Sequence, residues 1–196
     1  EWALTMDKIK KAPHGIDLGP LRPGMLDRLA NESKTIQLAP AIYLQDLSRL
    51  EARFSTNHAS EHDLLLIGRR HIRSNNSWMH NYHRLVKGKP RWQLIMNPED
   101  LKARGLQDDD KVTITSRVGS VTTRVVSSDE LMPGVISLPH GWGHQKPGIK
   151  MAIASEQEGV NCNRLTDDRF FDALCGNAAL NGVPVSVTKA HAQAVA

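Results

Sequence analysis

From residue 63 onward the chain is written in short apolar runs and alternations. Leu64-Leu65-Leu66-Ile67, closed by Gly68, has the length of a strand buried on both faces. Trp92 to Met96 is a second apolar run. Lys111 to Arg117 alternates Val112 and Ile114 with Thr113 and Thr115, Val118-Gly119-Ser120 reverses the chain, and Val121 to Val126 returns as the hairpin partner. Met132-Pro133-Gly134 predicts a turn into a strand over Val135 to Leu138, and Val183 to Thr188 a last strand. Between the second and third strands, Asn97-Pro98-Glu99-Asp100 supplies an N-cap, a proline at the first helical position and acids in the first turn. Gly105 is the stop, so a short helix is predicted there. Strands with short helices and no regular βαβ alternation predict a mainly β protein closed as a compact barrel.

The first 60 residues have a different texture. Pro13, Pro20 and Pro23 alternate with Gly15, Gly19 and Gly24 and break any long element. Short helices are predicted around Met25 to Ala30 and from Ile42 to Phe54, where Ile42, Leu47, Leu50 and Phe54 share a face. Neither can bury that face alone, so this segment reads as an irregular, partly helical arm that lies on something.

Composition bounds the picture. With 196 residues, 40% hydrophobic and 23% charged, the chain is a folded domain with an arm and is too short for a large multidomain enzyme. No stretch approaches the ~18 uninterrupted apolar residues of a membrane span, and the N-terminus lacks the pattern of a signal peptide. We therefore expect no membrane association and a cytoplasmic location. The chain starts at Glu1 instead of Met, which suggests processing or a piece of a longer protein. The net charge of +4 is concentrated: residues 61–92 hold seven Lys and Arg against Glu61 and Asp63, a local excess of five.

Several motifs invite chemistry. His58-Ala59-Ser60-Glu61-His62 fits a zinc-protease template, but the template needs a continuing helix, and Asp63 leads into a strand instead. His140 and His144 are four apart, yet Gly141 and Gly143 between them disfavour the helix that would make them converge on a metal. The segment reads either as a glycine-rich loop where backbone N–H groups approach a ligand or as plain loop punctuation. Asp108 to Asp110 lacks the alternating spacing of a calcium loop. Cys162 and Cys175 match no metal spacing. Asn31 and Asn75 begin glycosylation sequons, which matter only in a secreted chain. No metal or catalytic residue is assigned.

The remaining candidate is Gly68-Arg69-Arg70-His71-Ile72-Arg73-Ser74-Asn75-Asn76-Ser77-Trp78-Met79-His80-Asn81. A glycine at a strand end, three guanidinium forks and several amides are the donors that phosphate and a polar heterocycle require. The residues alone leave three readings: a nucleotide or cofactor site, a basic surface loop, or a stand-alone basic β-barrel that grips RNA or single-stranded DNA and stacks its bases on Trp78, Tyr82 and Trp92. Aromatic residues make up only 5% of the chain, which makes nucleic acid the weaker of these.

At this loop a family resemblance enters. LLLIGRRHIRSNNSWMHN, then LIMNPEDLKARGLQDDDKVTITSRVGSVTTRVVSSDELMPGVISLPHGWGH, then GVNCNRLTDDRFFDALCGNAALNGVPVSV together resemble the C-terminal dinucleotide-binding domain of molybdopterin oxidoreductases, a family that includes formate dehydrogenases and nitrate reductases. The match runs from about Asp63 to Thr188 and rests on N-P-x-D, G-x-x-D-x-D-x-V, S-R-x-G, M-P-G-V and the late Asn-containing loop. The arm, with HGIDLGPLRPG and Ile36-Gln37-Leu38-Ala39-Pro40, is similar to a connector found before this domain. The resemblance implies a double-psi β-barrel at 61–190, preceded by a connector arm at 1–60 from the catalytic domains and followed by a tail at 191–196. It implies a molybdenum or tungsten centre on molybdopterin guanine dinucleotide, which this domain closes over and orients. It further implies an oxidoreductase parent, an inactive fragment, iron–sulfur and metal ligands only upstream, and an electron-transfer partner. Carried over residue by residue, Gly68, Arg69, Arg70, Arg73, Asn75, Asn76, Ser77, His80, His140, Gly141, Asn161 and Asn163 are the cofactor-binding set. The cofactor carries the redox chemistry; the protein binds, orients and tunes it.

Overall fold

The computed structural model describes residues 3–55 and 64–190, and the chain divides into two compact units, Glu1–Asn57 and His58–Ala196. The H-x-x-E-H segment lies outside the described residues.

In the second unit, six strands close a barrel: β1 (Leu64–Arg69), β2 (Leu94–Met96), β3 (Lys111–Thr115), β4 (Ser120–Ser127), β5 (Val135–Pro139) and β6 (Val183–Lys189). Their order around the wall is β1-β5-β2-β4-β3-β6. The neighbours β1/β5 and β2/β4 run parallel and the other pairs antiparallel, in the mainly β, double-psi arrangement that the strand pattern and resemblance predicted. Closure leaves no free sheet edge. The interior comes from alternate positions: Val112 and Ile114 of β3, Val121 and Val125 of β4, Ile136 and Leu138 of β5, and Val183, Val185 and Val187 of β6. Each such side chain contributes roughly 1.5–3 kcal/mol on leaving water.

β1 departs from expectation. It is not buried on both faces: Leu64 and Leu66 are in the core while Leu65 is 44% exposed. In a single-layered barrel wall every strand has an outer face, and a run of four apolar residues does not reveal it. Trp92 also leaves its predicted strand and joins Trp142 and Val86 in a separate small cluster.

The predicted helix after β2 is present as Pro98–Ala103. Asn97 accepts the Glu99 N–H at 2.8 Å, and Gly105 takes φ +63° at the stop. The triple-Asp turn uses its carboxylates internally. Asp108 accepts from Ser127 N at 2.7 Å, Asp110 from Gln107 N at 2.9 Å and Lys189 Nζ at 3.0 Å, and Asp109 pairs with Arg124 at 3.1 Å.

The first unit carries short helices at Met6–Lys10, Ala41–Gln45 and Leu47–Ser55. The single helix predicted from Ile42 to Phe54 is thus two, broken at Asp46, whose carboxylate accepts from Arg49 at 2.7 Å. Aspartate competes for nearby donors and favours helix starts over helix interiors. Around Met25 only one 3₁₀ turn forms, Leu26–Arg28.

Candidate functional site

The parallel pairing of β1 with β5 builds the site. Gly68 is opposite Leu138 and Arg69 opposite Pro139, so both strands deliver their following loops to the same end of the barrel. There, a cavity of about 260 Å³ is lined by Arg70, His71, Ser74, Asn75, Asn76 and His140. A second, of about 220 Å³, shares Arg70 and His140 and continues past Gly68, Cys162, Asn163, Thr166 and Asn181. Together they form one cleft.

The asparagines have a local reason to be there. Asn75 and Asn76 adopt φ +42° and +62°, the left-handed region that asparagine tolerates better than other side-chain-bearing residues. The amides of Asn75, Asn76 and Ser77 donate to no acceptor among the described residues. Arg70 donates to the Asn76 side-chain carbonyl, which ties the guanidinium to the loop. Across the cleft, Asn181 Oδ1 accepts the Gly68 N–H at 2.7 Å, and the Asn161 side chain caps the turn at Cys162–Arg164 through Asn163 N at 3.0 Å.

Arg69 behaves differently from its neighbour. Its guanidinium donates to the carbonyls of Ser137 at 2.7 Å, Gln93 at 2.6 Å and Arg91 at 3.3 Å. Burial lowers its pKa to about 10, so it stays charged at neutral pH. Three carbonyls surround that charge, and the side chain joins β1 to β5 and to the segment before β2. It is a strut beneath the cleft.

The glycine loop after β5 is wedged between two other loops. Gly141 has φ +90° and a Cβ there would collide with the Asn76 carbonyl; Gly143 has φ +104° and its Cβ would be 2.7 Å from Asn161 N. Neither position accepts a side chain, so close packing of loop on loop explains both glycines. His80 lies beneath this contact, 1% exposed, stacked on Trp142 with ring centroids 3.7 Å apart, its Nδ1 at 3.0 Å from His144 Nε2.

Electrostatically the cleft is one-signed, with no carboxylate among its lining residues. The His71 pKa is lowered, first by burial and then by Arg91, Arg73 and Arg69. The arginines therefore reach this ring with positive charge, which favours an anionic ligand. Cys162 has its pKa raised, chiefly by burial, and is a thiol at neutral pH.

Of the twelve residues predicted for cofactor binding, Gly68, Arg70, Asn75, Asn76, His140 and Asn163 line the cleft. Arg69, Gly141 and His80 support it from behind. Arg73 and Ser77 lie on the same loop outside the two cavities, and Asn161 lines a separate cavity of about 390 Å³ with Gly143, Lys146 and Arg164. The sequence pattern did not reveal Asn181, Thr166 or the structural part of His144. Asn181-Gly182 is a turn dipeptide directly before the last strand, and that signal gives no hint that its amide reaches Gly68. No group of three or more His, Cys, Asp or Glu among the described residues could hold a metal, and no described helix is long and apolar enough to cross a membrane.

A closed barrel with an amide-rich, cationic cleft at the end of a parallel strand pair defines a binding module for a polar anion. Residues 64–184 match the family described as "Molydopterin dinucleotide binding domain", and the chain belongs to that family. It is similar to a tetrathionate reductase of Salmonella typhimurium, 28% identical over 123 residues that cover 54% of this chain and 12% of that protein. It is also similar to ArrA, the molybdopterin-containing component of the arsenate respiratory reductase of Chrysiogenes arsenatis, 28% identical over 57% of this chain and 14% of that protein. Among solved structures, acetylene hydratase from Pelobacter acetylenicus matches with a TM-score of 0.52 at 19% identity, over 74% of this chain and 20% of that one. This likeness is one of fold. The chain spans about one eighth of the length of the two curated relatives.

Proposed function

We propose that the cleft after β1 and β5 holds the dinucleotide end of a molybdopterin guanine dinucleotide within a larger molybdenum or tungsten oxidoreductase. The donor chemistry fits the group. Guanidinium and main-chain N–H groups suit pyrophosphate, Asn side chains offer both donor and acceptor to a purine or pterin edge, and no lining carboxylate repels the anion. That last observation carries the reading. Arg70 supplies the charge, Asn75, Asn76 and Asn163 the amides, and Gly68 the close backbone approach, while Arg69 keeps the two strand ends in register. The bound group would supply the parent's redox chemistry; the residues here bind, orient and shield it. The fragment alone is expected to be inactive.

The arm supports a connector role in the same parent. Leu21, Leu38 and Phe54 are 103%, 93% and 80% exposed, too much apolar surface for a segment meant to face water. We read it as the stretch of chain that arrives from preceding catalytic domains and lies on them.

A second reading, single-stranded nucleic acid on the basic loop, rests on the exposure of Trp78 (83%) and Tyr82 (59%). Replacing Arg70 and Asn163 by Ala in the full-length protein separates the two. Pterin content should fall at least about tenfold, the loss of one or two charge-assisted hydrogen bonds. Unchanged pterin content, with oligonucleotide affinity lost on Trp78→Ala, would favour the second reading.

A further inference from the structure

The His80–His144 contact has no role in the donor set above, and it joins the two loops that make one wall of the cleft. His80 follows the Asn75–Asn76 turn; His144 ends the glycine loop that packs on the Asn76 backbone. Both rings are buried, at 1% and 9% exposure, and their facing nitrogens are 3.0 Å apart. A hydrogen bond between two imidazoles exists only while one of them offers a lone pair.

The surroundings choose the tautomer. His80 Nε2 is buried without a partner among the described residues. Orphaned buried N–H groups are rarer than under-satisfied acceptors, so a lone pair is the better occupant of that buried position. The consistent arrangement has His80 Nδ1–H donating to His144 Nε2, with His80 Nε2 unprotonated. Adding a proton at His144 Nε2 sets N–H against N–H. Adding it at His80 Nε2 places a charged donor where no acceptor waits.

The geometry points to His80 and His144 as a proton-sensitive positioning pair, which clamps the glycine loop to the asparagine loop while both rings are neutral and releases it in acid. This rests on the cofactor reading of the cleft proposed above. The titratable groups acting on His80 are His144 and His140, both of which disfavour its cation, and the Gly141 main chain, which favours it; on His144 only Gly141 acts in favour of the charge. No carboxylate acts on either ring, so the Gly141 main chain is all that compensates a proton there, and burial outweighs it. His71 lines the cleft itself, and a proton on its ring would strengthen anion binding there. The clamp and the cleft therefore respond to acid with opposite signs.

The test uses the 196-residue chain. Amide hydrogen exchange at Gly141 to His144 and at Ser77 to His80 is followed at pH 7.5 and 5.0, corrected for intrinsic rates, in the wild type, His144→Gln and His144→Ala. Gln places an amide nitrogen or oxygen near the Nε2 position and does not titrate. The wild type should lose protection in these loops about tenfold more than in β3 and β4 on acidification. The Gln variant, in which only the His80 ring of the pair still titrates, should lose markedly less than the wild type, and the Ala variant should lack protection at both pH values. Equal protection in the wild type at the two pH values would overturn the proposal, as would an acid loss in His144→Gln as large as the wild type's. Should His144→Gln fail to fold, His80→Asn, which mimics Nδ1, takes its place. Pyrophosphate titrations in the same samples keep the two readings apart. No pyrophosphate binding at pH 7.5 in the wild type sinks the cleft assignment alone, whereas binding with identical pH profiles in wild type and Gln variant sinks the clamp alone.

Discussion

The two units of this chain spend similar side chains in opposite ways. Residues 64–190 bury sixteen apolar side chains in one barrel cluster, several at 0% exposure. Residues 3–55 hold Leu4, Ile9, Leu18, Leu21, Ile36, Leu38, Ile42, Leu47, Leu50 and Phe54, and none of the described arm residues is buried. Hydrophobicity alone does not make a core; the barrel's topology lets alternate positions meet across a closed wall, whereas the arm's helices are too short to enclose a side chain between them. The barrel carries its own core, and the described residues of the arm have none.

The sharpest way to break this comparison is to truncate one apolar side chain in each unit. Ile136→Ala should cost about 2–5 kcal/mol and Leu38→Ala less than about 0.5 kcal/mol, read as urea midpoints of the 196-residue chain. Equal costs would mean that the arm has a core of its own. Next in size is acid. His80 has its pKa lowered to about 4 by burial first and by His144 second. Above pH 6.5 neither folded nor unfolded chain carries this proton. As pH falls from 6.5 towards 4, the unfolded chain takes up a proton that the folded chain refuses, so stability falls, by on the order of 3 kcal/mol in total. Asp167, lowered to about 2 chiefly by the Arg117 hydrogen bond, loses its contribution only below pH 4. The two windows are therefore separable by unfolding at pH 7.5, 5.5 and 4.5, and helicity in the arm should not follow the first.

Gly141→Ala should cost about 2 kcal/mol or more, from positive φ and collision with the Asn76 carbonyl. Gly15 also has positive φ, at +87°, but open space around it, so Gly15→Ala should cost about 1 kcal/mol at most and leave the barrel midpoint unchanged. The smallest effect belongs to the arm's surface. Leu47→Ser with Leu50→Ser should move the barrel midpoint by less than about 0.5 kcal/mol, while reducing the helical signal of the Leu47–Ser55 segment.

Much of the barrel was legible because period-two alternation and turn chemistry are local. The β3–β4 hairpin, the Asn97 cap with its Gly105 stop and the last strand each carried their own signature. The parallel pairing of β1 with β5 was not, because Leu65 and Val135 are brought together only by closure, and no short window contains both. The site followed the same division. Gly68, Arg70, Asn75 and Asn76 were visible as one run of donors, and His140 and Asn163 came with the family resemblance. Arg69 looked the same as Arg70 on paper; only the tertiary placement of three carbonyls distinguishes the strut from the charge that lines the cleft. His140 and His144 suggested a metal pair, and the glycines that argued against it proved to be loop-packing positions, with His144 turned to His80 instead.

The most direct test of the cleft assignment is the map of amide shift changes when guanosine diphosphate, which carries both pyrophosphate and guanine, is titrated into the 196-residue chain. The largest changes should fall on Gly68, Arg70, Asn75, Asn76, His140 and Asn163 and weaken when Arg70 is replaced by Ala. Changes centred on the arm, or on Thr122, Lys146 and Arg164 around the other cavity, with Arg70→Ala without effect, would overturn the assignment.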